Sequence, residues 1–147
     1  MKNQRRKVLI AAISSSGLLG SSRVFATAEE VEAAIKSIVG DAEITQGALT
    51  LIIPQIAENG FSVPVSVTVE SAMTKDSYVE SVTIFAEENP NPEAITFNFT
   101  ENSGEVFAAT RMRLASTQNV VAVAKLNDGT VFTDSRYVEV TIGGCGA

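Results

Sequence analysis

Residues 63–70 read VPVSVTVE, and this stretch decides the fold class. Valine occupies every second position from Val63 to Val69, so one face of the segment is apolar and the other is mostly polar. Alternation with a period of two is typical of a β-strand that packs one face against a core. The stretch therefore predicts a half-buried strand.

Comparable segments lie on both sides of this strand. The predicted strands are residues 48–53, 63–70, 78–86, 94–100, 110–114, 119–126, 130–133 and 136–142. Turn-forming residues separate many of them, at positions 58–60, 89–92, 102–104 and 127–129. About eight short strands at such spacing predict a mainly β fold, an immunoglobulin-like antiparallel β-sandwich.

One short amphipathic helix is predicted before the first strand, at residues 29–39. Thr27 and Glu30 fit the pattern of a capping box, and apolar residues then recur at helical spacing up to Gly40. Glycine at that position is a typical C-terminal stop. We expect residues 27–142 to form one domain that consists of this helix and the sandwich.

Residues 1–26 have the layout of a bacterial twin-arginine export signal. Arg5-Arg6-Lys7 precedes an apolar stretch, residues 8–20, which is too short to anchor the chain in a bilayer. The residues Val24-Phe25-Ala26 fit a cleavage site. The mature protein is therefore expected to begin at Thr27 and to reside in the periplasm. The alternative, a structured basic helix, has no capping or amphipathic pattern to support it.

The composition excludes several kinds of chemistry. A chain of 147 residues with 45% hydrophobic content suffices for one domain with a core. Histidine is absent, which excludes imidazole acid–base catalysis, histidine-activated nucleophiles and histidine metal sites. A single cysteine excludes an internal disulfide and a multi-cysteine zinc site. We accordingly expect no metal, no cofactor and no catalytic residue.

Charge narrows the range of ligands further. Cleavage after Ala26 removes five basic residues and no acidic ones, which leaves 6 of the 11 basic residues against all 17 acidic ones, a net charge of −11. Such a field disfavours nucleic acid and anionic membrane surfaces, and it repels a small free dianion. We expect no nucleic-acid partner and no membrane association after cleavage, and no site that captures an anionic substrate unaided.

Each of two pairs of alternating residues could belong to the fold itself or could contact a partner. Phe97 and Phe99 share a strand face, and alternating aromatic residues are typical of a sandwich core. Arg111 and Arg113 also share a face, and they are a third of the basic residues left in the mature chain. For the arginines a solvated face is the simpler interpretation, with a patch that docks a partner as the alternative.

The residues after the last predicted strand carry the chemistry. The chain continues from Ile142 as Gly143-Gly144-Cys145-Gly146-Ala147. The glycines Gly143, Gly144 and Gly146 lack a Cβ, so residues 143–147 predict a flexible arm on which Cys145 stands about 10 Å from the sandwich when extended. No Lys, Arg or His lies in the arm to activate the thiol. Cys145 is therefore interpreted as a passive attachment point, with an intermolecular disulfide or an incidental terminal thiol as alternatives.

This tail resembles that of the SoxY family, the carrier subunit of the bacterial Sox thiosulfate-oxidising system. The resemblance extends over essentially the whole chain, through residues 56–60 with 63–65, residues 84–92 and residues 117–124. Its most specific part is Ile142-Gly143-Gly144-Cys145-Gly146. The family typically closes with another glycine where this chain has Ala147, a difference that bears on the fit in the deepest part of a partner's tunnel.

The resemblance implies a sulfur carrier that is itself not an enzyme. It implies a heterodimer with SoxZ, a cytochrome pair that joins thiosulfate to Cys145 as a thiosulfonate, and a hydrolase that removes the outer group as sulfate. The sulfane sulfur that stays on Cys145 as a persulfide would then be oxidised by a further enzyme or stored. A hypothesis from another class is an exported structural or binding sandwich that uses Cys145 for a disulfide-linked dimer. A third, a thiol peroxidase, lacks an activating group in the sequence.

Overall fold

The computed structural model describes residues 28–142, so the predicted export signal, Thr27 and the glycine-rich arm lie outside the described residues. The elements are α1 (Ala28–Val39), β1 (Ile44–Gln46), β2 (Leu49–Ile52), β3 (Ile56–Ala57), β4 (Val63–Val69), β5 (Val79–Ala86), β6 (Glu93–Asn98), a 3₁₀ turn (Glu101–Ser103), β7 (Val106–Met112), β8 (Gln118–Leu126) and β9 (Val131–Val140). No helix between residues 28 and 142 is long and apolar enough to cross a membrane.

The strands form two sheets in a sandwich-like arrangement, as the alternation predicts. One sheet has the order β1-β9-β8-β5-β6 with β3 added beside β9, and the other has the order β2-β4-β7. Most neighbours are antiparallel, whereas the short strands β1 and β3 pair with β9 in parallel. The sequence predicted neither of these two strands, because three residues and two residues are too few to show a period.

The main core lies between the sheets. All four alternating valines of β4, from Val63 to Val69, are buried there. They pack with Leu51 and with inward-facing residues of the facing sheet such as Ile84 and Val120. Phe97 and Phe99 are partly buried against the same cluster, which confirms their interpretation as core residues. The apolar face that the sequence predicts for residues 63–70 therefore lies in the core between the two sheets.

Helix α1 covers the outer face of the larger sheet. Val31 and Val39 of the helix are buried against Phe85, Val123 and Val131. Strand β5 is therefore buried on both faces over its second half, with one face toward the sandwich core and the other toward the helix. This explains why that strand reads as a nearly continuous run of buried residues.

The helix ends where the sequence predicts. Gly40 has a φ of 64°, in the left-handed region that glycine adopts without a steric penalty, and its N–H donates to the Lys36 carbonyl at 2.8 Å. Glu29 and Glu30 in the first turn and Lys36 in the last turn have the signs that the helix dipole favours.

The last two predicted strands are one strand. We expected a break between residues 133 and 136, but β9 continues through it and pairs with β8 along its length. The polar residue Asp134 fits inside the strand because one carboxylate oxygen accepts a hydrogen bond from the Leu51 N–H at 2.9 Å and the other binds Arg136. Strand β7 likewise starts at Val106, four residues before its predicted start, and ends at Met112.

The predicted turn at residues 127–129 joins β8 to β9. The Thr130 N–H donates to the Asp128 carboxylate at 2.9 Å, and this bond lowers the pKa of Asp128 from its ordinary value. Gly129 has a φ of 88°, which favours glycine at this position. The hairpin thus closes at the end of the sandwich opposite to the one at which β9 finishes.

The helix-to-sheet contact gives a prediction for stability. Replacing the buried Phe85 by alanine should lower the free energy of unfolding by about 3–5 kcal/mol, because it empties the space that α1 and the sheet share. Phe107→Ala is the matched control, since Phe107 is exposed on β7, and it should cost about 1 kcal/mol or less. Urea unfolding measures the free energy of unfolding of both variants. An equal decrease in the two would contradict the described core.

Candidate functional site

The predicted site residues Gly143, Gly144, Cys145 and Gly146 lie outside the described residues. The structure does describe the residues that come directly before them in the sequence. We call residues 139–142 the tail root. The contacts of the tail root decide where the arm begins and how firmly its base is held.

One side of the tail root is bound by the segment of residues 55–60. The Glu139 N–H donates to the Gln55 carbonyl at 2.8 Å, and the Thr141 N–H donates to the Ala57 carbonyl at 3.1 Å. The Gly60 N–H then donates to the carbonyl of Ile142 at 2.7 Å. The described chain is therefore held by backbone hydrogen bonds up to its last residue before Gly143.

The other side of the tail root is held by the loop between β7 and β8. The Val140 N–H points away from β3 and donates to the Thr117 hydroxyl oxygen at 2.9 Å. The same loop reaches the 55–60 segment, because the Leu114 N–H donates to the Gly60 carbonyl at 2.8 Å. Hydrogen bonds thus fix the tail root from both sides.

A buried polar network holds that loop in place. Asn89 donates to the Arg113 carbonyl at 2.8 Å and accepts from the Ala115 N–H at 2.9 Å. The Gln118 amide nitrogen donates to the Asn89 oxygen at 3.2 Å and to the Ser116 carbonyl at 3.0 Å. Both amide side chains are buried, and buried amides stabilise a structure only when they are hydrogen-bonded. The sequence placed Asn89 in a turn and did not reveal this role.

Arg111 directly precedes Met112, the last residue of strand β7, Arg113 follows directly after that strand, and both arginine side chains are exposed. Arg111 donates to the Ser62 hydroxyl at 2.6 Å and to the Ser62 carbonyl at 2.9 Å, so it also supports the loop before β4. Arg113 has no side-chain hydrogen bond or ion pair among residues 28–142. A partner-docking role for the pair stays a prediction.

The charges around the tail root do not form an anion site. The strand ends on this side of the sandwich carry five glutamates at or near the terminal residues of their strands, namely Glu58, Glu87, Glu88, Glu93 and Glu139. They outnumber the two guanidinium groups. Over the described part of the chain, no group of three or more potential ligands is arranged to hold a metal ion. What the arrangement offers is a rigid base for the residues that follow.

The chain matches one family in sequence. The family described as "Sulfur oxidation protein SoxY" matches residues 35–145, a range that includes the tail root and Cys145. No curated protein matches the chain at a significant level.

Solved structures agree with this match. The sulfur carrier protein SoxY from Chlorobium limicola f. thiosulfatophilum is 30% identical, with a TM-score of 0.65, over 79% of this chain and 100% of that one. A superoxide reductase (neelaredoxin) from Ignicoccus hospitalis superposes with a TM-score of 0.56 over 79% of this chain and 94% of that one. At 14% identity, that second likeness shows a shared fold only.

The buried amide network gives a prediction for the tail root. Asn89→Ala should destabilise the domain by about 2–4 kcal/mol, because it leaves the Arg113 carbonyl and the Ala115 N–H without a partner. Amide hydrogen exchange at Gly60 and Leu114 should accelerate more than exchange in β5. Asn91→Ala is the control, since Asn91 is exposed and its side chain bonds only the Glu93 carbonyl. Unchanged exchange at both amides in Asn89→Ala would show that the network does not support the root.

Proposed function

The chain belongs to the SoxY family, and from that premise we propose that it is a sulfur carrier that holds its cargo covalently on Cys145. The observation that carries the proposal is the firm base of the arm. Hydrogen bonds hold the chain up to Ile142, and Cys145 follows three residues later. The thiol is then tethered to a fixed point and can be offered to one enzyme after another.

The spacing sets how far the sulfur reaches. Three residues beyond Ile142 span at most about 10 Å. Gly143 and Gly144 add no side chain to this span, so the arm is slim enough to enter a narrow passage. A tether of this length suits an active site that is recessed by a similar depth in a partner enzyme.

The first proposed step is an oxidative coupling. The Cys145 thiol and thiosulfate form a sulfur–sulfur bond, the thiol proton goes to solvent, and two electrons go to a cytochrome partner. Hydrolysis then breaks the bond between the outer two sulfur atoms, which releases sulfate and a proton and leaves a persulfide on Cys145. Covalent attachment accounts for how a strongly acidic domain retains an anionic cargo that its field would repel.

The chain itself supplies no catalyst in this proposal. Histidine is absent from the sequence, and the arm carries no basic side chain that would activate the thiol. The cytochrome, the sulfate-releasing hydrolase and an enzyme that oxidises the sulfane sulfur act on the arm in turn. The chain would work as a heterodimer with a SoxZ-like subunit, in the periplasm, after export by the twin-arginine route and cleavage after Ala26.

The direct test replaces the thiol. Cys145→Ser should abolish thiosulfate-dependent electron transfer to the cytochrome in the reconstituted system, because serine forms no sulfur–sulfur bond. Stability should change by about 0.5 kcal/mol or less, since the substitution lies beyond the last strand. Cytochrome reduction and urea unfolding are the two measurements.

The same variant separates this proposal from a disulfide-linked dimer. A carrier with Cys145→Ser should still pair with its SoxZ-like subunit in size-exclusion chromatography. Electron transfer at the wild-type rate in this variant would disprove the carrier role. Loss of a homodimer as the only change would favour the structural alternative.

The length of the arm gives a separate prediction. Deleting Gly143 and Gly144 should reduce turnover nearly as much as losing the thiol, because the sulfur is drawn back by roughly 7 Å toward the domain. The control replaces both glycines with serine, which keeps the length and should retain most of the turnover. Intact-mass analysis measures loading and unloading of the shortened arm. Normal rates for both would show that turnover needs only a thiol at the surface of the domain and not a long arm.

A further inference from the structure

Three large apolar side chains are exposed around the tail root. Ile56 is 57% exposed, Phe61 is 42% exposed and Ile142 is 62% exposed. We infer that these three residues, which we call the collar, form the contact with the mouth of the sulfate-releasing hydrolase that receives the arm. The inference rests on the proposed carrier function and goes further, because it assigns a docking surface on the folded domain.

Backbone hydrogen bonds place the collar around the point where the arm starts. Ile142 is the last described residue, and its carbonyl accepts from the Gly60 N–H at 2.7 Å, so Phe61 follows directly after a residue bound to the root. Ile56 precedes Ala57, whose carbonyl accepts from the Thr141 N–H at 3.1 Å. Ile56 and Phe61 flank residues 57–60, and the backbone hydrogen bonds of that segment bring both of them beside Ile142, which lies far along the sequence.

The length of the predicted arm brings a partner's active-site entrance close to the collar. Cys145 stands at most about 10 Å from Ile142, so an enzyme that acts on its sulfur at the bottom of a passage must bring the mouth of that passage down to the tail root. The surface around the root is then covered during each reaction. Apolar side chains that are exposed in the free protein and covered in a complex favour association.

The neighbouring surface indicates the chemistry of the partner. A groove of about 450 Å³ adjoins the collar, with Pro54, Ile56 and Pro64 among its lining residues. The carboxylates of Glu58 and Glu139 are exposed beside Ile56, and neither has a side-chain partner within residues 28–142. An enzyme mouth with apolar side chains at its rim and basic side chains around them would complement this surface.

The chain provides a matched control for each of two collar residues. Ile44 is 49% exposed, and it pairs with Val131, roughly 25 Å along β9 from the tail root. Phe107 is 56% exposed and pairs with Thr68, toward the other end of its sheet. The double variants I56S/F61S and I44S/F107S therefore remove the same two kinds of side chain from different places.

The test uses the full mature heterodimer. Cys145 is loaded chemically with tetrathionate, which forms the thiosulfonate and releases thiosulfate, so loading needs no partner enzyme. Sulfate release by the hydrolase is then followed over a range of carrier concentrations. The KM of I56S/F61S should rise by about tenfold with little change in kcat, while that of I44S/F107S should stay within about twofold of wild type.

Several outcomes would overturn the inference. A wild-type KM for I56S/F61S, or equal increases in both double variants, would show that the collar is not the contact. Loss of the heterodimer in I56S/F61S alone would show that the SoxZ-like subunit covers the collar permanently. If the wild-type carrier is loaded with tetrathionate but the hydrolase never releases sulfate from it, the carrier function itself is refuted. If I56S/F61S fails to fold, the single variants Ile142→Ser and Phe107→Ser replace the two double variants. Ile142 lies outside every strand, so its substitution should leave the fold intact.

Discussion

Strand β9 is held along both of its edges, and the position of the arm depends on this constraint. Strand β8 binds one edge from Val131 to Val138, and the short parallel strands β1 and β3 bind the other edge near its two ends. The Thr117 hydroxyl and the Gly60 N–H extend the pairing to Val140 and Ile142. A strand fixed in this way cannot pivot, so any freedom of Cys145 has to come from the residues after Ile142.

The proposed division between a fixed tail root and a short arm fits the electrostatics of the chain. An acidic domain does not gather anions from solution, and a covalent bond removes the need to do so. Under the proposed function, recognition would fall to the partner enzymes, and a short tether would bring those enzymes close to the tail root. The exposed apolar collar lies where such a contact would form, and its acidic neighbours would favour partners with a basic rim.

Local patterns predicted most of the fold, and long-range contacts account for what they missed. The valines of β4 and the stop at Gly40 are readable because alternation and glycine geometry are local properties. Asp134 looked like a break in the sequence, but its carboxylate is bound by the Leu51 N–H, 83 residues away. Cys145 and its glycines stand out in the sequence, whereas Asn89, Thr117 and the collar gain their roles only from the segments that the fold brings beside them.

The central claim is that Cys145 carries the sulfur covalently during turnover. Mass spectrometry of the tail peptide, isolated from wild-type carrier during thiosulfate oxidation by its partner enzymes, tests it most directly. The account predicts two adducts on Cys145, a thiosulfonate that builds up when the hydrolase is withheld and a persulfide that replaces it when the hydrolase is added. An unmodified Cys145 throughout sustained sulfate production would contradict the account.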